Sequence, residues 1–173
     1  SIPEPVPSYS SETVPESLKG IKIGKPKSYF NLELESGVKE RVEEAIKVFK
    51  ELGAEIVEVD LLDPKYSIAV YTVLQRSEVS SNLSRLTGVR YGNSRAEFGD
   101  EAKKRIMLGT YALSSGYYDA YYSKAQKVRT LILEDYEKAF EKVDLIISPS
   151  MPCVALGLGE SEGSPMFGEL MDV

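Results

Sequence analysis

Arg105 is the residue whose type and spacing most suggest chemistry. It closes the basic triplet Lys103-Lys104-Arg105, and its helical rows hold Ala102 at i−3, Gly109 at i+4 and Ala112 at i+7. A guanidinium beside small residues has room to offer a planar fork to a carboxylate, which the flanking lysines cannot do. The competing reading is an arginine paired with local acids on a solvated face. Nearby, Tyr111, Tyr117, Tyr118, Tyr121 and Tyr122 form an aromatic surface with hydroxyl tips, suited to core or interface packing. Ser80-Ser81 and Ser114-Ser115 have no base beside them and read as caps and breaks at helix ends. Cys153 after Pro152 reads as a small buried hydrophobe. Gly20-x3-Gly24-Lys25 lacks the spacing and the following Ser or Thr of a phosphate loop, and its first glycine precedes the strand instead of following it.

Composition narrows the chemistry further. The chain has 173 residues, no histidine and one cysteine. Ser-His-Asp and Cys-His catalysis, a Cys/His zinc site and an internal disulfide are therefore excluded for this chain, and a reducing cytoplasm fits. A net charge of −6 argues against a surface devoted to phosphate backbones. No apolar run approaches membrane-spanning length, and the proline-rich, acidic start does not resemble a signal peptide.

The elements that must position these residues follow from periodicity. Residues 1–18, with Pro3, Pro5, Pro7 and Pro15, read as an extended linker. Alternation over 18–24 predicts a strand that stops at Lys25-Pro26. Val38, Val42, Ala45, Ile46, Phe49 and Leu52 predict a helix with Ser36 as N-cap, and residues 54–60 alternate as a second strand. Strand, helix, strand implies a parallel pair with a right-handed crossover, hence an α/β fold. A helix is predicted from Asp63-Pro64 to Thr87-Gly88, and two antiparallel helices over 100–114 and 117–141. The apolar run 143–149 predicts a strand covered on both faces. From Gly157 onward, glycines among acids and serines predict a loop.

Arg105-Ile-Met-Leu-Gly-Thr-Tyr-Ala-Leu-Ser-Ser-Gly-Tyr-Tyr-Asp-Ala-Tyr-Tyr122, followed by Lys124-Ala-Gln-Lys-Val-Arg-Thr130, resembles the amidase signature family. Within it the chain is most similar to the glutaminase subunits of tRNA-dependent amidotransferases. Leu18–Gly24, Leu52–Val57, Glu78–Leu83 and Arg90–Gly92 fit the same pattern in the same order, so the resemblance covers nearly the whole chain.

The resemblance implies a layered α/β/α amidase-signature fold, present in part, with a mixed, mostly parallel sheet flanked by helices. Residues 19–156 would be part of that single domain, and 157–173 a glycine-rich loop leading into its remainder. It also implies an enzyme that frees ammonia from glutamine, which partner B and C subunits use to convert Glu-tRNA(Gln) to Gln-tRNA(Gln), with tRNA, ATP and Mg held mainly by the B subunit. The family's Ser-Ser-Lys catalytic triad has no match here, so the segment alone is expected to be inactive. Substrate binding would fall to Arg105 on the glutamine carboxylate, Asp172 on its ammonium, and Tyr71 in the pocket wall. The stretch between Gly92 and Arg95 departs from the family in lacking a common insertion. Two other readings stay open: a segment of a free-standing amide hydrolase, or a non-catalytic interaction domain built on the tyrosine-rich helix.

Overall fold

A computed structural model of the chain describes residues 3, 5, 6, 15–32, 34–155 and 157. Its centre is a parallel sheet of order β2-β1-β3, with β1 Lys22–Pro26, β2 Glu55–Val59 and β3 Leu145–Ile146. The pairing sets Gly24 opposite Val57 and Ile146, and Ile23 opposite Ile56 and Leu145. Because side chains alternate across a strand, this register sorts them into two faces.

On one face lies the core of Val59, Leu61, Ala139 and Val143, with Tyr29, Val57, Tyr136 and Ile146 packed around it. Gly24 belongs to that face. A Cβ there would stand 3.0 Å from Val143 and 3.2 Å from Val59, so glycine lets the two valines close over the central strand. On the other face Lys25 Nζ reaches Glu43 Oε1 at 2.6 Å and lies 4.3 Å from the centroid of the Phe30 ring. Glu43 belongs to α2 Ser36–Glu51, whereas Ala139 and Tyr136 belong to α5 Lys124–Phe140. The sheet is therefore sandwiched between helices, the expected α/β/α layering. The four-residue α1 Lys27–Phe30 follows β1 directly, and its Tyr29 packs against the valine core. Beyond α5 come α3 Lys65–Leu83 and α4 Asp100–Ala112, with the most extensive helix packing running between α3 and α4, then between α3 and α5.

Several boundaries differ from the sequence expectation for identifiable reasons. β1 starts at Lys22, not Leu18, because Ile21 N–H closes a turn onto the Leu18 carbonyl, with Gly20 at φ 91°. It also runs through Pro26, which is fully buried at the strand's last pairing position. Ser36 is the first helical residue, and the N-cap is Glu35, held outside the helix because its N–H donates to the Pro152 carbonyl and its carboxylate accepts from Val154 N–H. The predicted double-faced burial of strand 143–149 fails at Leu145, which is 55% exposed on the face away from the valine core. The helix expected over 117–141 opens with a π-helical turn at Asp119–Ser123, and α3 ends at Leu83. The short stretch after α3 folds back tightly, with Arg95 donating from Nε to the Leu86 carbonyl and from Nη2 to the Ser84 carbonyl at the α3 C-terminus. The loop predicted over 157–173 lies outside the described residues, apart from Gly157.

The two sides of the core are stitched by a hydroxyl pair, Tyr29 to Tyr136, at 2.9 Å. Burial, and next the Tyr136 bond, push the Tyr29 phenol well above its ordinary 10.0. A raised folded-state value means that this stabilisation is complete below pH 10.0 and is lost as pH rises beyond it. Tyr29→Phe is expected to cost about 0.5–1.5 kcal/mol at neutral pH. In urea titrations it should also show a smaller loss of stability than the unaltered chain on going to strongly alkaline pH.

Candidate functional site

The candidate site is built on the α3–α4 contact, whose closeness is set by small residues. Ser77 and Ser80 of α3 and Gly109 and Ala112 of α4 are buried. Gly109 is the tightest point: a Cβ there would collide with the Arg76 carbonyl, 2.5 Å from its carbon, and stand 2.8 Å from Ser80 Cβ. Beside it, the Ser80 and Thr110 hydroxyls bond each other at 2.7 Å, while Thr110 also donates to the Ile106 carbonyl and Ser77 to the Val73 carbonyl. Every buried side-chain polar atom among the described residues has a partner, so the seam carries no uncompensated desolvation.

This seam revises the reading of the small residues around Arg105. Gly109 and Ala112 do not leave an open groove for a ligand, because α3 fills the space. Ser80, likewise, is an interhelical bonding residue rather than a cap. Arg105 lies one turn before Gly109, at the open end of the contact, with its side chain 29% exposed.

The closeness of the helices brings Tyr71 of α3 to Arg105 of α4. Arg105 Nε donates to Glu101 Oε1 at 2.8 Å, one turn earlier on α4. The Glu101 bond first, and then the Glu101 charge, hold the guanidinium above its already high ordinary value against the opposing effect of burial, with the neighbouring Tyr71 phenol adding in the same direction. Glu101 is held below the usual carboxylate range by its bond to Arg105, with Lys104 and Arg76 contributing through their charge. Of the three residues expected to bind substrate, the structure thus joins Tyr71 and Arg105, while Asp172 lies outside the described residues. Glu101 was missed by sequence reasoning, although its i−4 spacing from Arg105 is an ion-pair signal.

The π-helical turn arranges the tyrosines beyond the other end of the seam. Tyr111 and Tyr117 have ring centroids 4.2 Å apart, Tyr121 lies 6.1 and 6.0 Å from them, and Tyr118 and Tyr122 stand 5.1 Å apart. Tyr111, Tyr117, Tyr118 and Tyr121 keep more than two-fifths of their surface exposed, so they form a face and not a core. A shallow cleft of about 210 Å³ opens between Glu78 and Asn82 of α3 and Tyr118 and Tyr122, with neither Tyr71 nor Arg105 in its lining. The phosphate-loop lookalike dissolves, since Gly20 forms a turn, Gly24 lies under the valines and Lys25 pairs with Glu43.

Comparison with known proteins agrees with this architecture. The family model described as Amidase matches residues 1–172. The A subunit of glutamyl-tRNA(Gln) amidotransferase from Caldanaerobacter subterraneus subsp. tengcongensis is 49% identical over 182 residues, covering 96% of this chain and 37% of that protein. The chain thus spans little more than a third of that relative's length. The crystal structure of the Thermotoga maritima protein of the same name superposes with TM-score 0.68 at 38% identity, over 91% of this chain and 32% of its own. A bacterial aryl acylamidase of the amidase signature family gives TM-score 0.61 at 25% identity, over 81% of this chain and 29% of its own.

If the seam is as tight as Gly109 makes it, Gly109→Ala must part the helices and should cost about 1–3 kcal/mol. Gly37, in the first turn of α2 with open space around it, is the control. Gly37→Ala should gain up to about 1 kcal/mol from helix propensity. Urea unfolding of both variants checks the opposite signs.

Proposed function

The chain belongs to the amidase family, and from that premise we propose that it is the glutamine-recognising segment of the glutaminase chain of a tRNA-dependent amidotransferase. In this reading the complete protein releases ammonia from glutamine, and partner B and C subunits use it to amidate Glu-tRNA(Gln). The assembly is then a heterotrimeric ligase of protein biosynthesis in the cytoplasm, with ATP and Mg serving at the B subunit. Two features fit this assignment: a net charge of −6, which leaves tRNA contacts to a partner, and no described helix long and apolar enough to cross a membrane. The names of the amidotransferase relatives point the same way.

The observation that carries the reading is a partly exposed Arg105 at the α3–α4 seam, whose Nε is held by Glu101 Oε1 at 2.8 Å. Free glutamine is a zwitterion, and a site that selects it over uncharged amides needs a cation for its carboxylate. Arg105 supplies a permanently charged planar fork at a partly exposed position, steadied by Glu101 and Tyr71. Asp172 is the proposed partner of the ammonium. Bond cleavage itself falls to the family's Ser-Ser-Lys residues, which no residue of this chain matches.

The test is kinetic. In the complete enzyme, Arg105→Ala should raise KM for glutamine roughly tenfold or more, the cost of leaving a bound carboxylate without a charged hydrogen-bond partner. Its effect on glutaminamide, whose α-carboxylate is replaced by a neutral amide, should be small. An unchanged KM for glutamine would overturn the assignment.

A further inference from the structure

We infer that Glu101 is a positioning residue for the carboxylate site, fixing which edge of the Arg105 guanidinium faces the ligand. The inference deepens the proposed function and rests on its assignment of Arg105. A guanidinium has two edges that can take a carboxylate in parallel bonds, one formed by Nε and one Nη, the other by the two Nη atoms. Glu101 Oε1 sits on Nε at 2.8 Å and so occupies the side edge. The edge of paired Nη groups is then the one that can take a ligand carboxylate by two bonds.

The geometry gives Glu101 this task independently of the bond length. Both residues lie on α4 one turn apart, and the Glu-before-Arg order at i,i+4 is the favourable one on a helix. Arg105 is itself pinned from below, because Gly109, a turn further along, locks α4 against α3. The Glu101 partner of the guanidinium is on its own helix, and Tyr71 lies on the neighbouring α3. Glu101 is 59% exposed, and a pair this open adds little to folding stability. Its value lies in sparing the ligand the ordering of a long, rotamer-rich side chain. The ionised state needed for this is secure, since Arg105, Lys104 and Arg76 all favour the carboxylate.

The test compares three variants of the complete enzyme, with ammonia release from glutamine and from glutaminamide as readouts. Glu101→Ala should raise KM for glutamine by about two- to tenfold, the cost of ordering one long side chain on binding. It should leave kcat, and KM for glutaminamide, nearly unchanged. Glu101→Gln keeps an acceptor on Nε and should restore KM to that of the unaltered enzyme or below. If Arg105→Ala raises KM but Glu101→Ala does not, the positioning role is overturned and the carboxylate assignment stands. If Arg105→Ala leaves KM unchanged, both fall. If Glu101→Ala raises KM equally for glutamine and glutaminamide, Glu101 supports the fold at large and the positioning role is again overturned.

Discussion

The close approach of α3 and α4 at Gly109 is the constraint on which the candidate site depends. No side chain larger than hydrogen fits against the Arg76 carbonyl, and the buried serines and alanine on either side carry that closeness along the seam. Two residues far apart in the sequence are neighbours only because of it. Tyr71 of α3 and Arg105 of α4 flank a seam that a single methyl group at Gly109 would widen. The hydroxyl pair of Ser80 and Thr110 gives the seam direction as well as proximity, since it fixes how far one helix slides along the other.

The layers beneath explain why the seam is rigid enough to serve. Gly24 lets Val59 and Val143 meet over the central strand, and that core seats α5. In turn α5 supports α3, and α3 supports α4. The site therefore lies on α3 and α4, away from the strands, where a long cationic side chain stays partly solvated. Arg105 there is paired but not sealed: Glu101 is more than half exposed, so the pair is worth little as a fastener and is available as an orienting device.

How much of this can be read in the sequence follows a physical line. Periods of two and of three to four residues mark faces, so the parallel β1–β2 pair, the helices and the α/β layering are legible from Ile23, Val57, Val59 and the Val38–Leu52 stripe. Ends depend on individual bonds, which periodicity does not encode. The turn at Gly20 shortens β1, and the tether of Glu35 to residues 152 and 154 takes the N-cap from Ser36. Faces also do not say what covers them. Gly109 and Ala112 read equally as room for a ligand or as a seat for a helix, and the structure fills them with α3. Leu145 shows the converse, an apolar residue whose outer side nothing in the described chain covers. Type and spacing single out Arg105 and likeness to a family adds Tyr71, and no spacing rule predicts that α3 and α4 set them side by side, since that is made by tertiary packing.

In the proposed reading, the seam holds Arg105 so that its paired Nη edge receives the carboxylate of an amino-acid substrate. The most direct measurement is a crystal structure of the complete enzyme with glutamate, the product of glutamine hydrolysis, bound. The ligand's α-carboxylate is expected within about 3 Å of both Arg105 Nη atoms, with Glu101 still on Nε and Tyr71 alongside. A carboxylate held elsewhere, with Arg105 and Glu101 paired only to each other, would contradict it.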